Sequence, residues 1–159
     1  MFGSFDGLPI HVLVVHATVI LVPLAAVLGL AFLRPAWRMT LRWPLVGALA
    51  VATVLVWVAR ESGEVLKSSL SLGESAAAEV VDKHEDLAGR LWIWLLVFLA
   101  VAVVVALVLP RLSNPWVGGV LSIVVAALAV VVIVLLVYTG HQGSTAVWNP
   151  DGSLDYSGG

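Results

Sequence analysis

The chain has 159 residues, 61% of them hydrophobic and 11% charged, with a formal net charge of −2 and no cysteine. A soluble domain is roughly 45–50% apolar and 25% charged, so these proportions describe a protein embedded in lipid. The lack of cysteine excludes disulfides, thiolate zinc or iron–sulfur ligation and a cysteine nucleophile.

The first apolar run, 8–33, carries no formal charge and is long enough for a bilayer crossing, which needs roughly 20 residues. Pro9 suits an opening helical turn, and Pro23 in mid-span predicts a kink. Residues 1–7 lack a basic stretch, and the run exceeds the roughly 7–15 apolar residues of a signal peptide. Retention of this span is therefore expected. The second run, 43–60, is short for a crossing. The third, 88–109, stops at Pro110. The fourth, 116–139, meets Gly140, which is expected to end the helix. No β alternation appears, and only helices and closed barrels cross lipid. The fold class is therefore all-α: a four-helix transmembrane bundle, up-down-up-down, in one integral membrane domain covering 1–159. No internal repeat and no soluble domain is found.

The connection 61–90 is the only long one. Ala77, Val80, Val81, His84, Leu87, Ala88 and Leu91 fall on one helical stripe, with Glu79, Asp82, Lys83, Glu85 and Asp86 on the other face. Helix 3 is therefore expected to start near Ser75 as an extracytoplasmic extension. Residues 143–159 read as a polar tail anchored by Trp148, with a disordered end.

Four crossings place both termini on one face. The opposite face holds Arg34, Arg38, Arg42 and Arg111 and no acid, while all ten acids, Glu74 included, lie on the terminal face. The purely basic 34–42 connection marks the cytoplasmic side. The expected location is the plasma membrane, multi-pass, with both termini extracytoplasmic. Tryptophans border both edges, with Trp37, Trp43 and Trp116 on one side and Trp57, Trp92 and Trp94 on the other.

All four histidines, His11, His16, His84 and His141, fall toward the terminal face. Imidazoles from separate helices can bind haem iron from both sides or a smaller metal ion. His11 and His16 are five residues apart, a net turn of roughly 140° and a rise of about 7.5 Å, so they cannot address one centre without help from the backbone. His16 is deeper and is the better inward candidate, because an imidazole within an apolar span tends to mark a site. With helices 1 and 3 diagonal, His16 and His84 face each other around a porphyrin, and His141 is the substitute partner. Plainer readings stand beside these: His11 as an interfacial residue, His84 as an amphipathic contact, His141 as part of a helix-ending turn. Glu85 is either solvated or a support for His84, and Gly140 and Gly143 would let a flat ring approach His141.

The stretches FDGLPIHVLVVHATVILVPLAAVLGL, KHEDLAG and YTGHQGSTAVW resemble the bacterial and archaeal membrane family known as domain of unknown function 2231. The resemblance covers about 5–148 and implies a four-helix membrane domain with histidines on helix 1, before helix 3 and after helix 4. Family positions carry over to His11, His16, His84, Gly140, His141 and Gly143. The chain departs at Ala17-Thr18, where relatives often carry an aromatic residue and a proline, and at Ser144, where a second glycine is common. Some relatives are fused to a Rieske-type iron–sulfur domain, which implies electron transfer, bound haem and a Rieske-type redox partner.

The leading expectation is a haem-b-binding electron-transfer module, an oxidoreductase component with bis-histidine ligation near the extracytoplasmic face. Such ligation leaves no iron position for substrate. The alternatives are a zinc or copper site built from three or four of the same imidazoles, and a cofactor-free structural or assembly subunit. The partners are the lipid bilayer, a redox protein and, in a homo-oligomer, a second copy of the chain. Absence of a nucleophile elbow or HExxH motif argues against a hydrolase. No acidic or basic residue lies within 8–33, 43–59, 91–109 or 116–138, which argues against a transporter, and scattered basic residues argue against nucleic acid.

Overall fold

The computed structural model describes residues 3–155 apart from 71 and 74. Glu74 and the tail end at 156–159 lie outside the described residues. A short antiparallel hairpin, β1 (Ser4–Phe5) and β2 (Leu8–Pro9), precedes the helices and turns at Asp6 and Gly7, whose φ angles are 48° and 79°. Four long helices follow: α1 (Ile10–Ala31), α2 (Arg38–Ser69), α3 (Ala76–Val108) and α4 (Pro115–Trp148). All four are long and apolar enough to cross a membrane. Single 3₁₀ turns at Pro35–Trp37 and Leu109–Arg111 lead into the tight connections.

Each helix packs on its sequence neighbours and α4 closes the ring against α1, which sets α1 and α3 on a diagonal. The short connections make neighbours antiparallel. The inner stripe is built from Ala25, Ala26, Leu45, Leu49, Leu95, Phe98, Val125 and Ala129, all buried. Small residues let the backbones approach, as is usual where lipid supplies no hydrophobic drive between helices. At Gly29 a Cβ would stand 2.8 Å from Phe98 Cζ and 3.1 Å from Ala129 Cβ. Buried hydroxyls bond their own helix: Thr53 Oγ1 donates to Leu49 O at 2.7 Å and Ser122 Oγ to Gly118 O at 2.8 Å. The outer faces carry exposed Val, Leu, Ile and Trp, the surface a bilayer covers.

Three element limits differ from the sequence reading. The stretch after residue 60 is not loop, since α2 continues to Ser69 and the non-helical link is confined to the residues before Ala76. Ser62 is 1% exposed there, so the inner stripe of α2 outlasts its apolar run. The second change is at Gly140. It does not end α4, because a glycine terminates a helix by adopting positive φ and Gly140 is not among the positive-φ residues. The helix passes through 143 and stops at Trp148, before Asn149-Pro150, where proline disfavours the helical state of the preceding residue. The third is at the start of α2, which begins at Arg38, five residues ahead of the apolar run, and accommodates Pro44 in its interior. α1 likewise runs through Pro23. At the other end, Ser75 caps α3: its Oγ accepts from Ala78 N–H at 3.2 Å.

Candidate functional site

At the end of the bundle that carries the chain termini, two imidazoles from diagonal helices meet. The ring centres of His11 (α1) and His84 (α3) are 6.2 Å apart and the planes are at 87°. His11 Nδ1 lies 2.8 Å from Ala59 O on α2, and His84 Nδ1 lies 2.9 Å from Thr139 O on α4. A carbonyl oxygen only accepts, so each Nδ1 donates and carries its proton. In the neutral imidazole, Nε2 is then a free lone pair, the arrangement usual for a metal-ligating histidine.

Each ring also lies over a glycine. A Cβ at Gly63 would stand 3.0 Å from His11 Nδ1, and one at Gly143 would stand 3.0 Å from His84 Cε1. In both cases the glycine follows the accepting carbonyl by four residues, one helical turn further on. The two hairpins, α1–α2 and α3–α4, therefore carry the same three-part unit of histidine, carbonyl and glycine. The separations from histidine to carbonyl are 48 and 55 residues, so no fixed-period repeat shows in the sequence.

A cavity of about 310 Å³ opens beside the pair and is lined from all four helices, including Val15, Arg60, Gly63, Leu136, Thr139 and Gly143. That is at the small end of ligand sites, roughly 300–1,000 Å³. Its wall is mostly apolar, with charge concentrated where α2 meets α3. There Lys67 Nζ donates to Asp82 and to Glu85, at 2.6 Å each. Exposed ion pairs of this kind add little stability but hold side chains in place. His84 stands in the polar extension of α3, outside the apolar crossing. Burial there pushes its pKa below the usual histidine value; the Thr139 carbonyl and Glu85 act upward, and His11 acts downward.

The other sequence candidates fall elsewhere. His16, expected to point inward, is exposed, and its Nδ1 lies 2.6 Å from Val12 O of its own helix. That bond ties Nδ1 to its own helix, and the ring's exposure sets it apart from the His11–His84 pair. His141 is also exposed, on a helix rather than in a turn. Glu85 lines the cavity but directs its carboxylate to Lys67. Gly140 lines the cavity with open space around it, while Gly143 supports His84 and not His141. The structure thus brings together His11 and His84, and does not bring His16 or His141 to them. Among the described residues, no group of three or more His, Cys, Asp or Glu side chains is arranged to hold a metal ion. Sequence reasoning did not single out Ala59, Arg60, Gly63 or Thr139. Gly63 fell in the expected connection after residue 60, where a glycine carries no special signal.

Comparison with curated proteins finds no match, and comparison with solved structures finds none. A family described as "Predicted membrane protein (DUF2231)" matches residues 7–152. That stretch holds all four helices, the paired imidazoles and both glycines beneath them, and the chain belongs to this family of multi-pass membrane proteins.

Proposed function

We propose that the protein is a haem-b-binding electron-transfer module with His11 and His84 as the axial pair. The observation that carries this is the meeting of two imidazoles from diagonal helices, both anchored through Nδ1 and 6.2 Å apart between ring centres. A metal–imidazole bond is about 2.0–2.1 Å, so one metal atom between two such nitrogens sets the ring centres about 6 Å apart. The donor set supports haem over a bare ion. Structural zinc takes four protein ligands, and only two imidazoles meet here, whereas a porphyrin brings four nitrogens of its own. When bound, haem b supplies a one-electron iron couple with both axial positions filled, which suits transfer to a partner and not substrate chemistry.

The chain's own contribution is positioning. Ala59 O and Thr139 O fix the tautomer and plane of each imidazole, and Gly63 and Gly143 let the rings lie against the backbone. The site sits at the terminal end of the bundle, and the basic 34–42 connection supports the outer face of the plasma membrane for that end. An extracytoplasmic redox protein, such as one of Rieske type, is the partner this placement suits.

The test is an optical spectrum of detergent-solubilised protein expressed with ample haem. The expected result is a Soret band with low-spin reduced α and β bands, lost in His11→Ala and His84→Ala and kept in His16→Ala and His141→Ala. No Soret band in the wild type overturns the proposal. Stoichiometric zinc or copper in protein free of porphyrin favours the divalent-metal reading, and neither chromophore nor metal leaves the structural subunit.

A further inference from the structure

We propose that Arg60 is the anchor for a carboxylate-bearing edge of the ligand held at His11 and His84, an assignment that rests on the haem reading and makes the haem propionates its carboxylates. Arg60 follows Ala59, whose carbonyl fixes His11, and its side chain lines the same cavity. Its Nε is buried with no hydrogen-bond partner. The indole Nε1 of Trp92 is in the same condition, and the Arg60 guanidinium carbon lies 5.5 Å from the Trp92 ring centre. Both atoms are donors only. Two buried donors on neighbouring side chains lack an acceptor, and Arg60 stands in the cavity wall, where a ligand can supply one, since buried polar groups are normally paired.

The nearby acids do not supply it. Asp82 and Glu85 bond Lys67 at 2.6 Å each, and Asp86 bonds Arg90 at 2.7 Å. Among the described residues Arg60 makes no ion pair, although acids surround it. A guanidinium offers a carboxylate two parallel N–H bonds, and stacking on an aromatic face holds its plane in place.

The correspondence between the hairpins adds the direction. Arg60 stands one residue after the carbonyl that holds His11, and the equivalent residue after Thr139 is Gly140, with nothing within 4 Å of its Cβ position. One side of the cavity therefore offers the Arg60 guanidinium, with Glu64 and Glu85 also in the wall, and the equivalent side is bare and flanked by Leu136. A flat ligand with acids on one edge and hydrocarbon on the other fits in one sense only.

The test titrates the full chain, prepared without haem in detergent, with hemin and with hemin dimethyl ester, in which both carboxylates are capped. Wild type is expected to bind hemin at least tenfold tighter than the ester. Arg60→Gln is expected to lose about tenfold for hemin with no change for the ester, and its bound hemin keeps the wild-type low-spin spectrum, because the axial pair is intact. Trp92→Phe, which keeps the ring and removes the N–H, shows the same selectivity with a smaller loss and guards against a misfolded Arg60 variant. Equal affinity of wild type and Arg60→Gln for hemin, or an equal loss for both probes, overturns the role of Arg60 and leaves the haem reading standing. Failure of wild type to bind either probe overturns both.

Discussion

His11 and His84 are placed by contacts that leave little slack. Each imidazole is held by one carbonyl of the adjacent helix and rests on one glycine, so the glycines are as much part of the site as the rings. A Cβ at Gly63 or Gly143 would stand 3.0 Å from an imidazole atom, tighter than ordinary van der Waals contact. Gly63→Ala and Gly143→Ala are each expected to cost about 1–3 kcal/mol through overpacking. Gly47→Ala on α2, where nothing lies within 4 Å, is expected to stabilise by up to about 1 kcal/mol through helix propensity. Thermal unfolding in detergent, followed by circular dichroism, measures the contrast; equal behaviour of the three variants would show that the imidazoles do not rest on those glycines. At this scale the sequence was a poor guide. His16 looked like the residue in need of a partner, yet it is exposed, with Nδ1 bonded to Val12 O one turn earlier. A histidine within a helix has that local option at any depth, and composition does not reveal whether it is taken.

Helix limits divide according to whether the signal is local. The start of α3 was legible, because Ser75 and the stripe from Ala77 to Leu91 are both features of consecutive residues. Ser75→Ala is expected to cost about 0.5–2 kcal/mol and to speed amide exchange in the first turns of α3, with the rest of the helix unchanged. Uniform exchange along α3 in the variant would remove the cap from the account. The ends of α2 and α4 were not legible. Beyond residue 60, and again beyond 140, the outward faces turn polar while the inward positions go on packing. Ser62 is buried, and Gly63 and Gly143 each receive an imidazole. An apolar run measures what faces lipid, so it ends where the bilayer ends and not where the helix does.

For the molecule as a whole, the ring α1-α2-α3-α4 determines which helices face across the diagonal, and hence which imidazoles can meet. The orientation proposed from the charge asymmetry can be tested directly, since the chain has no native cysteine. Single cysteines at Ser153 and at Ala36, probed with a membrane-impermeant maleimide on intact cells, are expected to label at 153 and not at 36. The reverse pattern would place the histidine pair on the cytoplasmic side and overturn the proposed extracytoplasmic partner. Embedding in lipid, the number of crossings, the charge asymmetry and the shared end of the histidines were all present in the linear chain, because hydropathy and charge act on segments regardless of what they pack against. The choice of His11 over His16, the carbonyl and glycine beneath each ring, and the unpartnered Arg60 came only from the packed bundle. They depend on how far each helix is rotated about its own axis. That rotation is set by contacts between residues distant in the chain, such as Gly29 with Phe98 and Ala129, and it carries no signature in any one segment.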